Sequence, residues 1–560
     1  MPTSLLRLAA TSHRSTFRSS WSGPPRPFAN LPCVPQRVAI IGWDGVDWKV
    51  LQPMLDRGEL PNLAAFIERG AFGDCLSTVP SHSWTAWPTF MTGLNPAGHA
   101  VFDILEHKPG VSRRLPITSK SIKARSIFHD MSDADKTTIA ANIPLTFPTW
   151  DVKGKMVAGG VLPAARSYTH PPELQEELDR NAPFPVNGMS WTTYRNRPEA
   201  FLDECADITA KRQKSFEYLM DTTDWDFAVL VYVSTDRIQH CLMEYVAPEH
   251  PEYDKLRDSP VAERTRGIYQ QLDAGLAELL KRTNDDDLVI FMSDHGHQPC
   301  TRTCTMDRIL ANLGFLEFGR GSLAFNLVRW GPGRRIARRL YDILKLHGKL
   351  AIPASPIDWD KTRAYTSVVS TGEGVSVNLK GREPQGVVDP KDYEKVRDEL
   401  YDALDGFRDP ATGTNPIGRI YRKEEVMQGA FFDSAPDLLL VPAPFYSLTH
   451  AKGMVDEADW LSGDHRLEGV VVATGPEVTR GPLNETAYLQ DLGPTSLAAL
   501  GVPSGIERDG VVLKSLVGEG VELEVVESAQ STEHQRDESG LTSDEEGEIE
   551  EQLRGLGYVE

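Results

Sequence analysis

No stretch of this chain has the apolar length needed to cross a bilayer as a helix, and its first residues lack the apolar run of a secretory signal. Both absences lead to the expectation of a cytoplasmic protein. Positive charge is also scarce: 59 Lys and Arg stand against 80 Asp and Glu, giving a net charge of -21. A surface of that sign lacks the cations that bind a nucleic-acid backbone by counterion release, so no nucleic-acid scaffold is expected as a partner. Cysteine is sparse. The six, Cys33, Cys75, Cys205, Cys241, Cys300 and Cys304, form no CxxC pair and no small-domain disulfide spacing. Cys300 and Cys304 lie near a histidine, but no second Cys/His pair follows at a zinc-finger distance, so they read as two thiols on a loop. Internal repeats are absent.

What is present is ordinary globular material, 40% hydrophobic and 25% charged over 560 residues. That length exceeds what one hydrophobic core usually supports and predicts a large domain with an insertion, or two domains. Residues 1–36 carry Arg7, Arg14, Arg18 and Arg26 with many serines and no acid. Their composition overlaps with that of an organelle transit peptide, and they are read as a disordered extension. Residues 516–560 are acidic and polar and are expected to be largely disordered, with one short helix from Ser543.

Between these ends the pattern alternates between strand and helix. RVAIIGW (37–43) is a continuous apolar run of the kind found in a buried parallel strand, and it ends at Asp44. FAVLVYVSTD (227–236) is a second such strand ending in Asp236, with His240 one helical turn beyond. A helix starting at Asp236 would put both side chains on one face. DLVIFMSDHGH is a third, ending in Asp294, His295 and His297. Strands are also expected at 137–143 and 155–160, and a helix over 199–220. One carboxylate at a strand end is commonplace. Three of them, two followed by histidine, predict a shared rim at the carboxyl edge of one sheet.

Residues 305–435 interrupt this order and read as an accessory lobe. It includes a basic, helix-like piece with Arg334, Arg335, Arg338, Arg339 and Lys345, a strand in GEGVSVNL and a charged helix in KDYEKVRDELYDAL. The sheet is expected to resume at DLLLVPAP (437–444). A loop carrying His465 then precedes a last strand, 469–473, and DLGPTSLAALG closes the globular part as a helix.

The stretch PSHSWTAWPTFMTGLNPAGH, from Pro80 to His99, places the Ser83 hydroxyl among turn and helix-start residues. Asp44, Asp236, His240, Asp294, His295 and His465 are all carboxylates or imidazoles, enough to hold two divalent ions with open positions left for nucleophile and substrate. Paired ions suit phosphoryl transfer, and a divalent ion is one of the few ways to activate a serine hydroxyl at neutral pH. A helix starting at Ser83 would favour the alkoxide and the transferred group.

RVAIIGWDG, the serine stretch ending in TGLNPAGH, STDRIQH, SDHGH and SGDHRLEG occur in the order seen in the alkaline phosphatase superfamily. Together they resemble the type I phosphodiesterase/nucleotide pyrophosphatase branch, especially its prokaryotic phosphohydrolase/phosphomutase-like members, over residues 37–515. The resemblance implies an α/β, three-layer fold with a mostly parallel central sheet and an inserted lobe. It makes Asp44, Asp294 and His295 ligands of one metal, faced by Ser83 as nucleophile, and Asp236, His240 and His465 ligands of the other. Zinc is the expected ion and manganese the alternative. The implied reaction is transfer of a phosphoryl or nucleotidyl group from a small, nucleotide-like phosphorylated substrate to Ser83, then hydrolysis. Thr85 is the competing nucleophile. A cofactor-independent phosphomutase using the same metals and serine is the alternative function. A sulfatase is disfavoured, because Trp84 and Thr85 follow Ser83 where the formylglycine motif needs proline two residues on.

The chain departs from the family pattern at four places. Asp103 stands where nucleotide pyrophosphatases carry a phosphate-contacting asparagine, and Ala100 where glycine is usual. Pro88 should break or kink the presumed serine helix unless the regular helix begins there. His297 matches no ligand position of the family, and a supporting or solvated role is expected for it.

Overall fold

The strand Val38–Trp43 is buried at every position, and alternate residues serve different cores. Ala39, Ile41 and Trp43 join a cluster with the apolar faces of helices Trp48–Asp56, Pro61–Arg69, Pro198–Asp221 and Pro260–Leu280. Val38 and Ile40 point the other way, into a cluster with helices Ser83–Thr92, Ile127–Asp133 and Leu489–Ala499. A strand covered on both faces needs apolar residues at every position, which is why 37–43 reads as a continuous run. The outcome is three layers, helices on either side of one sheet. These features belong to a computed structural model that describes residues 35–107, 114–163, 166–319, 357–526 and 541–556. Most of the N-terminal extension and the basic piece with Arg334 and Lys345 lie outside the described residues.

The central sheet has ten strands among the described residues. From one edge its order is Gly481–Pro482, Ala71–Leu76, Glu468–Thr474, Leu288–Met292, Val38–Trp43, Phe227–Tyr232, Thr138–Pro144, Gly154–Gly159 and Thr169–His170, with Ala487–Tyr488 also paired to Ala71–Leu76. The five from Leu288–Met292 to Gly154–Gly159 run parallel. Register matters most for function. Val38 pairs with both Phe227 and Leu288, Trp43 with Tyr232, and Gly42 with Met292. The three strands therefore end level, and the residues that follow them emerge along one edge.

Four sequence expectations need correction. Cys300 and Cys304 are not on a loop but are buried in strand Gly296–Cys304. The second strand stops at Tyr232, and Asp236 sits in the first turn of helix Ser234–Leu242, which begins two residues earlier than supposed. His465 is not in a loop: Gly463–Arg466 is a strand paired antiparallel with Gly296–Cys304. Leu438–Pro442 does not resume the central sheet. It joins Ala364–Val368, Gly374–Val377 and Ile417–Arg422 in a separate antiparallel sheet, which packs with helix Tyr393–Gly406 around Leu400, Leu404 and Leu438. An apolar run reads alike in either sheet, because its partners are set by chain path rather than by composition.

Helix Ser83–Thr92 runs unbroken through Pro88. All ten of its residues are buried, and it packs against Leu489–Ala499, a helix that itself contains Pro494. Burial on that scale, about 1.5–3 kcal/mol for each large apolar side chain, offsets the lost backbone hydrogen bond. Near the C-terminus, helix Ser543–Leu556 buries Ile549 and Leu553, an i, i+4 pair hidden in an acidic sequence. Its Gly555 carbonyl accepts hydrogen bonds from the Ser190 and Thr192 hydroxyls at 2.9 and 2.8 Å, and Gln552 Nε2 donates to the Leu162 carbonyl at 2.9 Å.

Candidate active site

The level strand ends deliver Asp44, Asp236, Asp294 and His295 to one edge, and all four are at most 1% exposed. Ser83 is the first residue of its helix, with its Oγ 3.2 Å from Asp44 Oδ1 and 3.1 Å from His295 Nε2. Thr85 points elsewhere. Its hydroxyl bonds to the carbonyls of Pro80 and His82, each at 3.0 Å, and lies 3.2 Å from the Thr78 hydroxyl.

Asp44, Asp294 and His295 form one group able to hold a cation, every ligand atom lying within 4.8 Å of the others. Asp44 Oδ2 accepts a hydrogen bond from Trp87 Nε1 at 3.0 Å, and Asp294 Oδ1 accepts one from the Gly45 amide at 3.2 Å. Those bonds fix the carboxylates and leave their other oxygens near His295, whose Nε2 is 3.6 Å from Asp44 Oδ1 and 3.4 Å from Asp294 Oδ2.

The second group is Asp236, His240, His297 and His465. Asp236 Oδ1 lies 3.2, 3.6 and 3.9 Å from the Nε2 atoms of His240, His297 and His465. Backbone carbonyls orient two of the rings: His240 Nδ1–H donates to Gly463 O at 3.1 Å, and His297 Nδ1–H to Gly45 O at 2.9 Å. With Nδ1 as the donor, each Nε2 presents its lone pair to the centre, the tautomer a metal ligand needs. His297 is therefore not solvated. It is fully buried within the group, and the sequence reading missed it. The His-Gly-His spacing was no guide, since His295 precedes strand Gly296–Cys304 and lies in the first group while His297 is on the strand and in the second.

Gly45 is required where it stands. Its φ is +75°, and a Cβ there would come within 2.6 Å of His297 Cε1 and 2.8 Å of His297 Nδ1. Its amide serves the first group, and its carbonyl serves His297 and also Gln239 Nε2, at 2.8 Å.

The electrostatics of the protein alone are unfavourable here. Burial and the neighbouring Asp236 push the Asp294 carboxyl up to about 8, and burial with Asp294 raises Asp44 as well. Burial and the surrounding imidazoles push His297 and His465 well below the usual histidine range. Asp294 Oδ2, His297 Nε2 and both ring nitrogens of His465 are buried without a hydrogen-bond partner. Buried polar atoms are almost always satisfied, so these orphans, drawn together from separate elements, fit divalent cations.

Asp103 is committed elsewhere. It accepts from the amides of Val369 and Ile104 and from the Ser370 hydroxyl, with Arg114 at 3.5 Å, and so fastens its loop to the accessory lobe. Ala100 has φ +71°, the left-handed region, which accounts for the glycine usual at that place.

A cavity of about 380 Å³ opens beside Ser83, lined also by Asp44 and Asp236 and walled by Gln552, Gly555 and Leu556 of the C-terminal helix. Among the described residues no helix is long and apolar enough to cross a membrane.

A comparison with curated proteins gives no significant sequence match. Among solved structures, phosphonoacetate hydrolase from Sinorhizobium meliloti in complex with phosphonoformate is similar with a TM-score of 0.51 and 16% identity, covering 84% of this chain and 96% of that one. Murine ectonucleotide pyrophosphatase/phosphodiesterase 5, an inactive variant in complex with AMP, gives a TM-score of 0.47 and 15% identity over 85% of this chain and 97% of its own. The human form of that protein gives 0.47 and 15%, over 86% and 99%. The layered fold is the alkaline-phosphatase-like one. The type I phosphodiesterase/nucleotide pyrophosphatase profile matches residues 38–468, and the chain belongs to that family of hydrolases.

Proposed function

We propose that this protein is a divalent-metal-dependent phosphohydrolase that cleaves phosphoester or phosphoanhydride bonds through a covalent intermediate on Ser83. The observation that carries the reading is the position of Ser83 Oγ, within 3.2 Å of both Asp44 and His295 at the start of a buried helix, while Thr85 is bonded away from the site. Asp44, Asp294 and His295 would hold one ion and Asp236, His240, His297 and His465 the other. Mixed imidazole and carboxylate ligands suit zinc first and manganese second. Ions held there would supply the charge that activates the hydroxyl and offsets the growing charge on the phosphoryl oxygens.

The chain's own residues do the rest. Asp44 and His295 orient the Ser83 hydroxyl toward the cavity, and the Asp44 carboxylate, to whose Oδ1 the hydroxyl donates, can accept its proton as the oxygen attacks phosphorus. The dipole at the start of the Ser83 helix favours the negative charge that gathers on the phosphoryl group. Asn142 lines the same cavity, but its amide Nδ2 already donates to Val231 O at 2.8 Å, so its remaining donor is the one available to a substrate oxygen.

The test is a metal-supplemented panel of phosphomonoesters, phosphodiesters, nucleotide sugars and dinucleotides, run with Ser83→Ala beside the parent. Turnover by the parent and a fall of ~100-fold or more in the variant are expected. Full turnover in Ser83→Ala would remove the covalent intermediate from the proposal.

A further inference from the structure

Arg212 is a charged group of the cavity that metal chemistry at Ser83 leaves unused. It projects from the long helix Pro198–Asp221, is 3% exposed, and lines the same cavity as Ser83, Asp44 and Arg237. Its Nε and Nη2 donate to the Pro185 carbonyl at 3.3 and 3.1 Å, which fixes the plane of the guanidinium. Its Nη1 is buried and has no hydrogen-bond partner.

No carboxylate pairs with Arg212 among the described residues, whereas Arg237 Nη1 lies 3.6 Å from Asp236. Burial, then repulsion from Arg237, lowers its pKa to about 9, which still leaves it charged at neutral pH. The Phe184 ring, 5.4 Å from the guanidinium carbon, and the Pro185 and Val186 carbonyls partly solvate this buried charge, but none of them is an anion, and an anionic group in the cavity would supply the missing counter-charge. Guanidinium also matches carboxylate and phosphoryl oxygens in shape as well as charge.

We propose that Arg212 forms a second anion subsite, so that the substrate is a phosphoester carrying a further carboxylate or phosphoryl group on the part that enters this cavity. This inference rests on the phosphohydrolase reading of the Ser83 site. The reacting phosphorus would sit at Ser83 and the second anionic group at Arg212. The wall formed by Gln552, Gly555 and Leu556 would limit the length of the segment between them.

Binding tests this without requiring turnover. Zinc-loaded protein is titrated calorimetrically with 3-phosphonopropionate, 1,3-propanediphosphonate and propylphosphonate, which share the group expected at Ser83 and differ in the far end. The two ligands with a charged far end should bind at least ~10-fold tighter than propylphosphonate, a factor of about 1.4 kcal/mol, within the range of one charge-assisted hydrogen bond. Preference for only one of the two identifies which anionic group the subsite takes. In Arg212→Gln the preference should collapse to within about two-fold, and Arg212→Lys, which keeps the charge, should restore part of it.

Equal binding of all three ligands to the parent protein overturns the subsite and leaves the phosphohydrolase reading standing. So does an Arg212→Gln variant that weakens all three alike, because that is the signature of a purely structural arginine. The comparison within the parent decides the matter even if Arg212→Gln fails to fold. Binding of none of the three overturns the reading of the Ser83 site and the subsite with it.

Discussion

His297 and His465 stand directly opposite one another in the antiparallel pair of Gly296–Cys304 with Gly463–Arg466, their ring centroids 5.3 Å apart. Facing residues on paired strands hold a fixed separation, so this pairing presents two imidazoles to Asp236 with little freedom to rearrange. His297→Ala should therefore weaken binding of the second ion by at least roughly 10-fold, measured by competition with a chelator, because it removes one of four converging groups. Unchanged affinity would return His297 to a supporting role.

That pairing also marks the limit of what the sequence could tell. The apolar strands, the carboxylates at their ends and the helix start at Ser83 were legible, because continuous apolar runs and strand-end Asp-Gly or Asp-His steps have local signatures. His297 was not, since its role depends on which strand lies across from it, and a pairing 168 residues away leaves no local trace. The same reason explains why Leu438–Pro442 was given to the wrong sheet. Arg212 was invisible for a related cause: nothing in a helical sequence shows that an arginine will be buried without a counter-ion.

Gly45→Ala should damage both groups at once. The new Cβ would press on the His297 ring, and φ +75° disfavours any side chain. Loss of metal from both sites should accompany the change, with destabilisation of at least about 1 kcal/mol in denaturant unfolding. Retention of two ions per chain, measured by elemental analysis, would count against a shared hinge at Gly45.

Metal-free protein should lose stability as the pH rises above the usual histidine range. The folded Asp294 carboxyl keeps its proton up to about 8, whereas the unfolded one releases it near 3.8, so across that window the native state binds more protons. Where the native state binds more protons than the unfolded state, stability falls with increasing pH. Below about pH 6.5 the buried neutral His297 and His465 act in the opposite sense, because their unfolded forms take up protons first. Thermal unfolding of chelator-treated protein should therefore show the decline between about pH 6.5 and pH 8, and added zinc should abolish it by taking the place of the protons. A flat profile without metal would show that the carboxylates are compensated in some other way.

Ala100→Gly should stabilise the protein. Ala100 holds a left-handed conformation at the end of the short helix Pro96–His99, with φ +71°. A Cβ in that region costs roughly 1–2 kcal/mol, partly returned by the greater flexibility of glycine in the unfolded chain. A net gain of about 0.5–1 kcal/mol in denaturant unfolding is expected, with activity unchanged.

Removal of residues 541–560 should alter substrate choice as well as stability. Ile549 and Leu553 are 4% and 1% exposed, and they join the same apolar cluster as Trp84, the residue next to Ser83. Losing two buried side chains of that size should cost about 3–6 kcal/mol at most. The same deletion takes away Gln552, Gly555 and Leu556 and so opens one wall of the cavity beside Ser83. Wherever a small and a bulky phosphodiester are both turned over, the ratio of their kcat/KM values should therefore shift toward the bulky one. A lower melting temperature with no change in that ratio would reduce the helix to a fastening for the fold. A changed ratio would show that the short helix expected from Ser543 in an otherwise acidic, polar tail shapes what reaches the serine.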